Sequence, residues 1–212
     1  DLRSAMALGT AGFTAGLAVA RMEHNGLRPG NGPVVVSGAT GGVGSIAIEI
    51  LAKAGYEVHA LTGKADATDY LKQLGAKEII LRSSLDLAKI KPLGKETWAG
   101  AVDNLGGEVL SWMASTMQQA GTIASIGLAA SIDFKTTVMP FILRGVSLLG
   151  IDSGYTGDPL RGEVWRRLGS EWKPEKVIAQ AREIPFDALP GVFEDFLQAR
   201  VKGRVVVRIQ NQ

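Results

Sequence analysis

The segment VVVSGATGGVGS, residues 34–45, has the residue types and spacing that phosphate chemistry requires. A β-branched run ends at Ser37, a tight turn follows, and helix-compatible sequence opens at Gly42. Glycine at 41 lets the backbone approach a pyrophosphate, and glycine at 44 lets the helix lie close on the strand. Unpaired N–H groups of the first helical turn then present partial positive charge to the phosphates. An ordinary Gly-rich turn is the bland alternative. The setting, a strand-to-helix junction heading an alternating chain, favours dinucleotide binding.

The end of the next strand bears on which dinucleotide. A site built for NAD places an acid there, about 20 residues after the turn, on the ribose 2′-hydroxyl. This chain reads Leu61, Thr62, Gly63, Lys64, with no acid before Asp66. Two donors and a cation suit a 2′-phosphate, so NADPH is expected over NADH. A solvated surface lysine is the competing reading.

Other chemistries find no support. Gly38, Gly42 and Gly44 also lie in the GxxxGxG register of short-chain dehydrogenases, which need a Tyr four residues before a Lys. Tyr56, Tyr70 and Tyr155 are followed four residues on by Ala60, Leu74 and Pro159. No GK[ST] follows the glycines, so a P-loop is excluded. Ser125 in TIASIG has Ile123 where a nucleophile elbow needs glycine. Two histidines cannot build a histidine-rich metal site; His24 sits in a polar turn and His59 reads as a structural strand residue. No catalytic residue is assigned.

The elements that must position the turn alternate along the chain. Strands are expected at 34–37, 57–61, 78–81, 100–103, 121–126 and 146–151. Helices are expected at 45–53, 67–74, 106–118 and 138–144. This alternation implies an α/β fold, a doubly wound parallel Rossmann sheet covered on both faces. Residues 31–153 would form the dinucleotide-binding domain. Residues 1–30 are a lead-in helix and linker, the apolar stretch 5–20 reading as a packed helix rather than a signal peptide or a span. Residues 154–212 change rhythm. Helices are expected at 160–172 and 189–201, and short strands at 182–186 and 204–209 have no evident crossover partner. Val205, Val206, Val207 and Ile209 call for burial. These flanks look like parts of a second domain.

The 212 residues are 46% hydrophobic and 21% charged, a globular composition long enough to bury roughly 70% of the unfolded surface. With 23 Lys plus Arg against 21 Asp plus Glu, the net charge of +2 points to neither nucleic acid nor an anionic membrane. The absence of cysteine excludes disulfides, thiolate metal sites and a cysteine nucleophile, and fits a cytoplasmic setting.

Several stretches together resemble one family. GTAGFTA at 9–15, SGATGGVGS at 37–45, LTGK at 61–64, WAGAVDNLGG at 98–107, TTVMPFILRGVSLLGIDS at 136–153 and GRVVV at 203–207 are similar to the medium-chain dehydrogenase/reductases of the quinone oxidoreductase branch. The acrylyl-CoA reductase type matches best. The resemblance covers nearly the whole chain and corresponds to the C-terminal two-thirds of such proteins, without their N-terminal GroES-like domain.

By that resemblance, Thr40, Gly41, Gly42, Val43 and Gly44 would hold the pyrophosphate, and Thr62, Gly63 and Lys64 the 2′-phosphate. The family usually has Ser-Gly-Arg there, so Lys64 replaces a bidentate fork with a point charge. Arg82 would lie near the ribose phosphate. Leu105, Gly127 and Leu128 would flank the nicotinamide, and Ser153 and Arg204 would add contacts. Zinc-dependent relatives carry a cysteine near the position of Thr10, so no catalytic zinc is expected. The implied reaction is hydride transfer from NADPH to the β-carbon of an activated alkene, acryloyl-CoA or else a quinone-type acceptor. An isolated, non-catalytic NADPH-binding module is the alternative. The edge strand 146–151 would pair with its mate in a homodimer.

Overall fold

The computed structural model describes residues 1–209 of the chain. Six apolar runs form one parallel sheet: β1 (Val34–Val36), β2 (Val58–Thr62), β3 (Glu78–Leu81), β4 (Trp98–Asp103), β5 (Met117–Ser125) and β6 (Ser147–Gly150), in the order β3-β2-β1-β4-β5-β6. Every pairing is parallel. β1, β2 and β4 are buried throughout, as strands covered on both faces must be.

One face carries α1 (Leu2–His24), α2 (Gly42–Lys53), α3 (Thr68–Leu74), α6 (Leu160–Leu168) and α7 (Glu175–Ala179). The other carries α4 (Gly107–Thr116) and α5 (Met139–Arg144). The first core contains Leu17, Ile46, Ile50, Leu71 and Trp172; the second contains Leu61, Met113, Met117 and Ile123.

α1 is 23 residues, longer than the 5–20 stretch suggested, and it is long and apolar enough to cross a membrane. Two-thirds of its apolar window is instead buried inside the fold, against α2, α6 and β5. It kinks at Gly9, whose φ of 48° is open to glycine.

Some boundaries differ from expectation. The helix expected over 106–118 stops at Thr116 because Arg144 donates to the carbonyls of Ser115 (2.9 Å) and Met117 (3.0 Å). β5 therefore begins at Met117, with a register irregularity against β4. The helix expected over 160–172 ends at Leu168, and a turn brings Trp172 under the Arg167 guanidinium, 3.3 Å from the ring centroid. α7 was not expected. Its start is held by Glu49, a buried residue in α2 that accepts from the backbone N–H groups of Lys176 (2.9 Å) and Val177 (2.8 Å).

The largest correction concerns the C-terminal strands. β7 (Arg182–Pro185) and β8 (Val205–Arg208) pair with each other in parallel, joined by α8 (Leu189–Leu197). They form a β-α-β unit with its own crossover, so the two strands do have a partner. Val206 is buried, Val205 and Val207 are half-buried, and Ile209 is exposed, contrary to the burial expected for all four. α8 ends at Leu197 rather than at 201. Ala199 takes a positive φ of 53°, and the Arg200 N–H returns to the Asp195 carbonyl.

Candidate functional site

The carboxyl ends of β1, β2, β4 and β5 open into a cleft of about 710 Å³. At its floor, Gly38 turns the chain out of β1 with φ of 58°, and its carbonyl accepts from the Gly41 N–H at 2.9 Å. Gly41 is the extended residue at the start of α2, and among the described residues no side chain caps this helix end. The first-turn N–H groups therefore face the cleft with the partial positive charge of the helix terminus. A side chain at Gly44 would strike the Gly38 carbonyl oxygen at 2.4 Å, so the tight approach of helix to turn requires glycine.

The neighbouring strand end is pinned by a buried network. Asp103 accepts from Ser37 Oγ (2.9 Å) and from the backbone N–H groups of Leu105 (3.2 Å) and Gly106 (2.9 Å). Asn104 Nδ2 donates to the Ser37 carbonyl at 2.7 Å. Burial pushes the Asp103 carboxyl above the usual aspartate range, and the three donors oppose this. β1 and β4 are thereby locked where they meet the cleft. Gly127 lies against the Asn104 carbonyl, which a Cβ there would approach to 2.5 Å.

At the other end Thr62 closes β2, and its Oγ1 accepts from the Lys64 N–H at 3.0 Å. Lys64 Nζ donates to the Val201 carbonyl at 2.7 Å. Partial burial holds the Lys64 ammonium below the usual lysine range; the neighbouring Lys202 charge adds to this and Asp66 opposes it. Arg82 follows β3 and lines the same end.

Of the expected cofactor contacts, the cleft brings together Thr40, Gly41, Gly42, Val43, Gly44, Thr62, Gly63, Lys64, Arg82, Leu105, Gly127 and Leu128. Ser153 and Arg204 are not among its lining. They sit in an adjoining cavity of about 600 Å³ with Gly9 and Thr10, and Val43 and Ile126 line both. Arg204 still reaches the glycine turn. Its Nε donates to the Ala7 carbonyl at 2.6 Å, and its Nη1 lies 2.7 Å from where a Gly42 side chain would begin. Burial lowers its pKa, and a guanidinium beside a helix N-terminus invites an anion to lie between them.

Sequence reasoning missed Gly38, Asn104, Ile126 and Ala129, which adjoin recognised motifs, and Phe196, Ala199, Val201 and Gly203, which do not. The last four come from α8 and the segment after it. The Gly203 N–H donates to the Thr40 carbonyl at 2.8 Å, seating that segment on the glycine turn.

A parallel sheet in this strand order, with a glycine turn leading into a helix at its centre, defines a dinucleotide-binding domain of Rossmann type. The family model described as zinc-binding dehydrogenase matches residues 42–168. The chain belongs to that family, in its medium-chain dehydrogenase/reductase branch of quinone oxidoreductase-like and acrylyl-CoA reductase proteins.

It is 46% identical over 209 residues to the acrylyl-CoA reductase AcuI of Ruegeria pomeroyi, covering 99% of this chain and 63% of that relative. The crystal structure of the yhdH oxidoreductase from Salmonella enterica in complex with NADP is 44% identical, with a TM-score of 0.94, over 99% of this chain and 64% of that one. The Bacillus subtilis protein yhfP with NAD bound is 49% identical, with a TM-score of 0.93, at the same coverage. The chain thus spans less than two-thirds of the length of these relatives.

The family's description implies zinc, and the residues of this chain do not fit it. There is no cysteine, and no group of three His, Asp or Glu side chains is placed to hold a metal ion among the described residues.

Proposed function

We propose that the cleft binds NADPH and that the protein containing this chain transfers a hydride to the β-carbon of an activated alkene, acryloyl-CoA foremost and quinones as the second acceptor class. The carrying observation is the cleft itself, with a bare helix N-terminus at one end and a lysine in place of an acid at the other. Relatives crystallised with NADP support the reading. When bound, NADPH supplies the hydride.

In this reading the first-turn N–H groups of α2, with Arg204, hold the pyrophosphate. Lys64, Thr62 and Gly63 hold the 2′-phosphate, with Arg82 beside the ribose. Leu105, Gly127 and Leu128 shield the reacting end from water, and Ser153 adds a contact from the adjoining cavity. Negative charge develops on the thioester oxygen only in the transition state, so a polar donor must meet it there. No residue of this chain is assigned that role, which the family resemblance gives to a GroES-like domain.

Residues 31–153 form the cofactor domain, 1–30 its lead-in, and 154–212 the return towards the catalytic domain. The cysteine-free composition supports a cytoplasmic setting. A homodimer through β6 belongs to the same proposal, because among the described residues that strand is an edge of the sheet and Leu148 on it is exposed. Light scattering should give twice the monomer mass at micromolar concentration; a monomer mass counts against the dimer.

The second reading, an NADPH-binding module without catalysis, rests on the cleft alone, whose lining supplies cofactor contacts and no residue assigned to catalysis. Calorimetric titration with NADPH and NADH, followed by NADPH oxidation assays with acryloyl-CoA and with a quinone, separates the two. Preferential NADPH binding with turnover supports the reductase. Preferential binding without turnover by this chain supports the module, and binding of neither cofactor overturns both.

A further inference from the structure

The segment after α8 does more than close the cleft. It is attached to the cofactor loops at three successive residues: the Val201 carbonyl takes Lys64 Nζ, Lys202 Nζ pairs with the Asp66 carboxylate, and the Gly203 N–H binds the Thr40 carbonyl. Lys202 thereby stands beside Lys64 at the end of β2, and its partner Asp66 is the first acid after that strand. Lys202 holds the Asp66 carboxylate below the usual aspartate range.

An acid near this strand end is what a 2′-hydroxyl requires and what a 2′-phosphate is repelled by. Building on the NADPH reading, we propose that Lys202 is a specificity-determining residue. Lys202 and Asp66 lie just outside the cleft lining, and the Lys202 ammonium masks Asp66, so that the ribose end presents Lys64 to a 2′-phosphate with a second cation beside it and no bare acid. Without Lys202, Asp66 stands as the acid that a 2′-hydroxyl site uses. The preference between the two cofactors is then decided across 136 residues of sequence, by a lysine in the C-terminal return acting on an acid of the β2 loop.

Affinities of the chain for NADPH and NADH, measured by calorimetry on Lys202→Ala, Lys202→Arg and Lys202→Ala/Asp66→Asn, test this. Lys202 is partly exposed, so the direct ion-pair loss is worth up to about fivefold, and the unmasked acid takes the expected NADPH loss to roughly five- to tenfold. NADH affinity should hold within about twofold or rise. Asp66→Asn in the double variant should restore most of the NADPH affinity, and Lys202→Arg should resemble the unmodified chain.

Equal weakening of both cofactors would show that Lys202 only holds the segment in place and would overturn the proposal. An unchanged NADPH affinity, or no restoration by Asp66→Asn, would do the same. Lys64→Ala and the unmodified chain report on the underlying reading. If the unmodified chain shows no NADPH preference, both fall. If it does, and Lys64→Ala lowers it while Lys202→Ala does not, only the role of Lys202 falls. Thermal melts accompany each variant, and Lys202→Gln replaces Lys202→Ala should the alanine variant melt early.

Discussion

Replacing Gly44 by alanine tests whether the close approach of helix to turn is what makes the cofactor site. An ideal Cβ at Gly44 lies 2.4 Å from the Gly38 carbonyl oxygen and 2.9 Å from both the Gly38 carbonyl carbon and Ala39 Cα. All three are backbone atoms, so no side chain can swing away. Reaching an ordinary C···O separation of ~3.3 Å requires α2 and the turn to part by about 0.9 Å. Overpacking of this kind costs about 1–3 kcal/mol, against about 1 kcal/mol gained from alanine's helix propensity. The net is a loss of up to about 2 kcal/mol, a fall in Tm of roughly 4–8 °C at most.

Cofactor binding should suffer more than stability. The moved helix end loses at least one charge-assisted hydrogen bond to the pyrophosphate, worth about 1.5–3 kcal/mol, or roughly 10- to 150-fold in affinity. Calorimetry with NADPH and a thermal melt read the two effects separately. Gly191→Ala is the control, a helical glycine of α8 outside the cleft lining whose Cβ would meet nothing within 4 Å. If Gly44→Ala keeps both the Tm and the NADPH affinity of the unmodified chain, the steric account of the turn is refuted.

Two further outcomes follow from groups away from the cleft. Arg144→Ala removes a buried guanidinium that serves the carbonyls of Ser115, Met117 and Gly94, the last at 2.6 Å, and should cost about 3 kcal/mol, or roughly 6–12 °C in Tm. Lysine should restore only part of this, because one ammonium cannot reproduce a planar fork, and full recovery would contradict the assignment. Tyr56 is pushed up to about 12, first by burial and then by the Glu23 carboxylate that accepts its hydroxyl at 3.3 Å. Its proton leaves the unfolded chain first, so its contribution to stability is intact below about pH 10 and shrinks as pH rises towards 12. The urea midpoint of the protein should therefore drop relative to that of Tyr56→Phe between pH 9 and 11, and a constant difference would refute the linkage.

Much of the fold was legible because its signals are local. Val34–Val36 read as a buried strand from their β-branched run, and the glycines that follow favoured a turn that a phosphate and a helix approach closely over an ordinary Gly-rich turn. Thr62 ends β2 and Gly63 and Lys64 follow it, so all three reach the cleft at the strand's carboxyl end. Each inference needs only a dozen neighbouring residues.

What the sequence by itself determined was therefore the Rossmann sheet, the glycine turn and the charge at the end of β2. Only the tertiary structure decided how the cleft is closed and where its elements stop. Arg144 ends α4 from about 30 positions away, and Glu49 starts α7 from across the helical layer. Phe196, Val201, Lys202 and Gly203 reach the cofactor loops because β7 and β8, which read as unpaired, pair with each other and turn the chain back. Local periodicity reports which face of an element is buried. It carries no information about which distant carbonyl, carboxylate or turn will lie against that face.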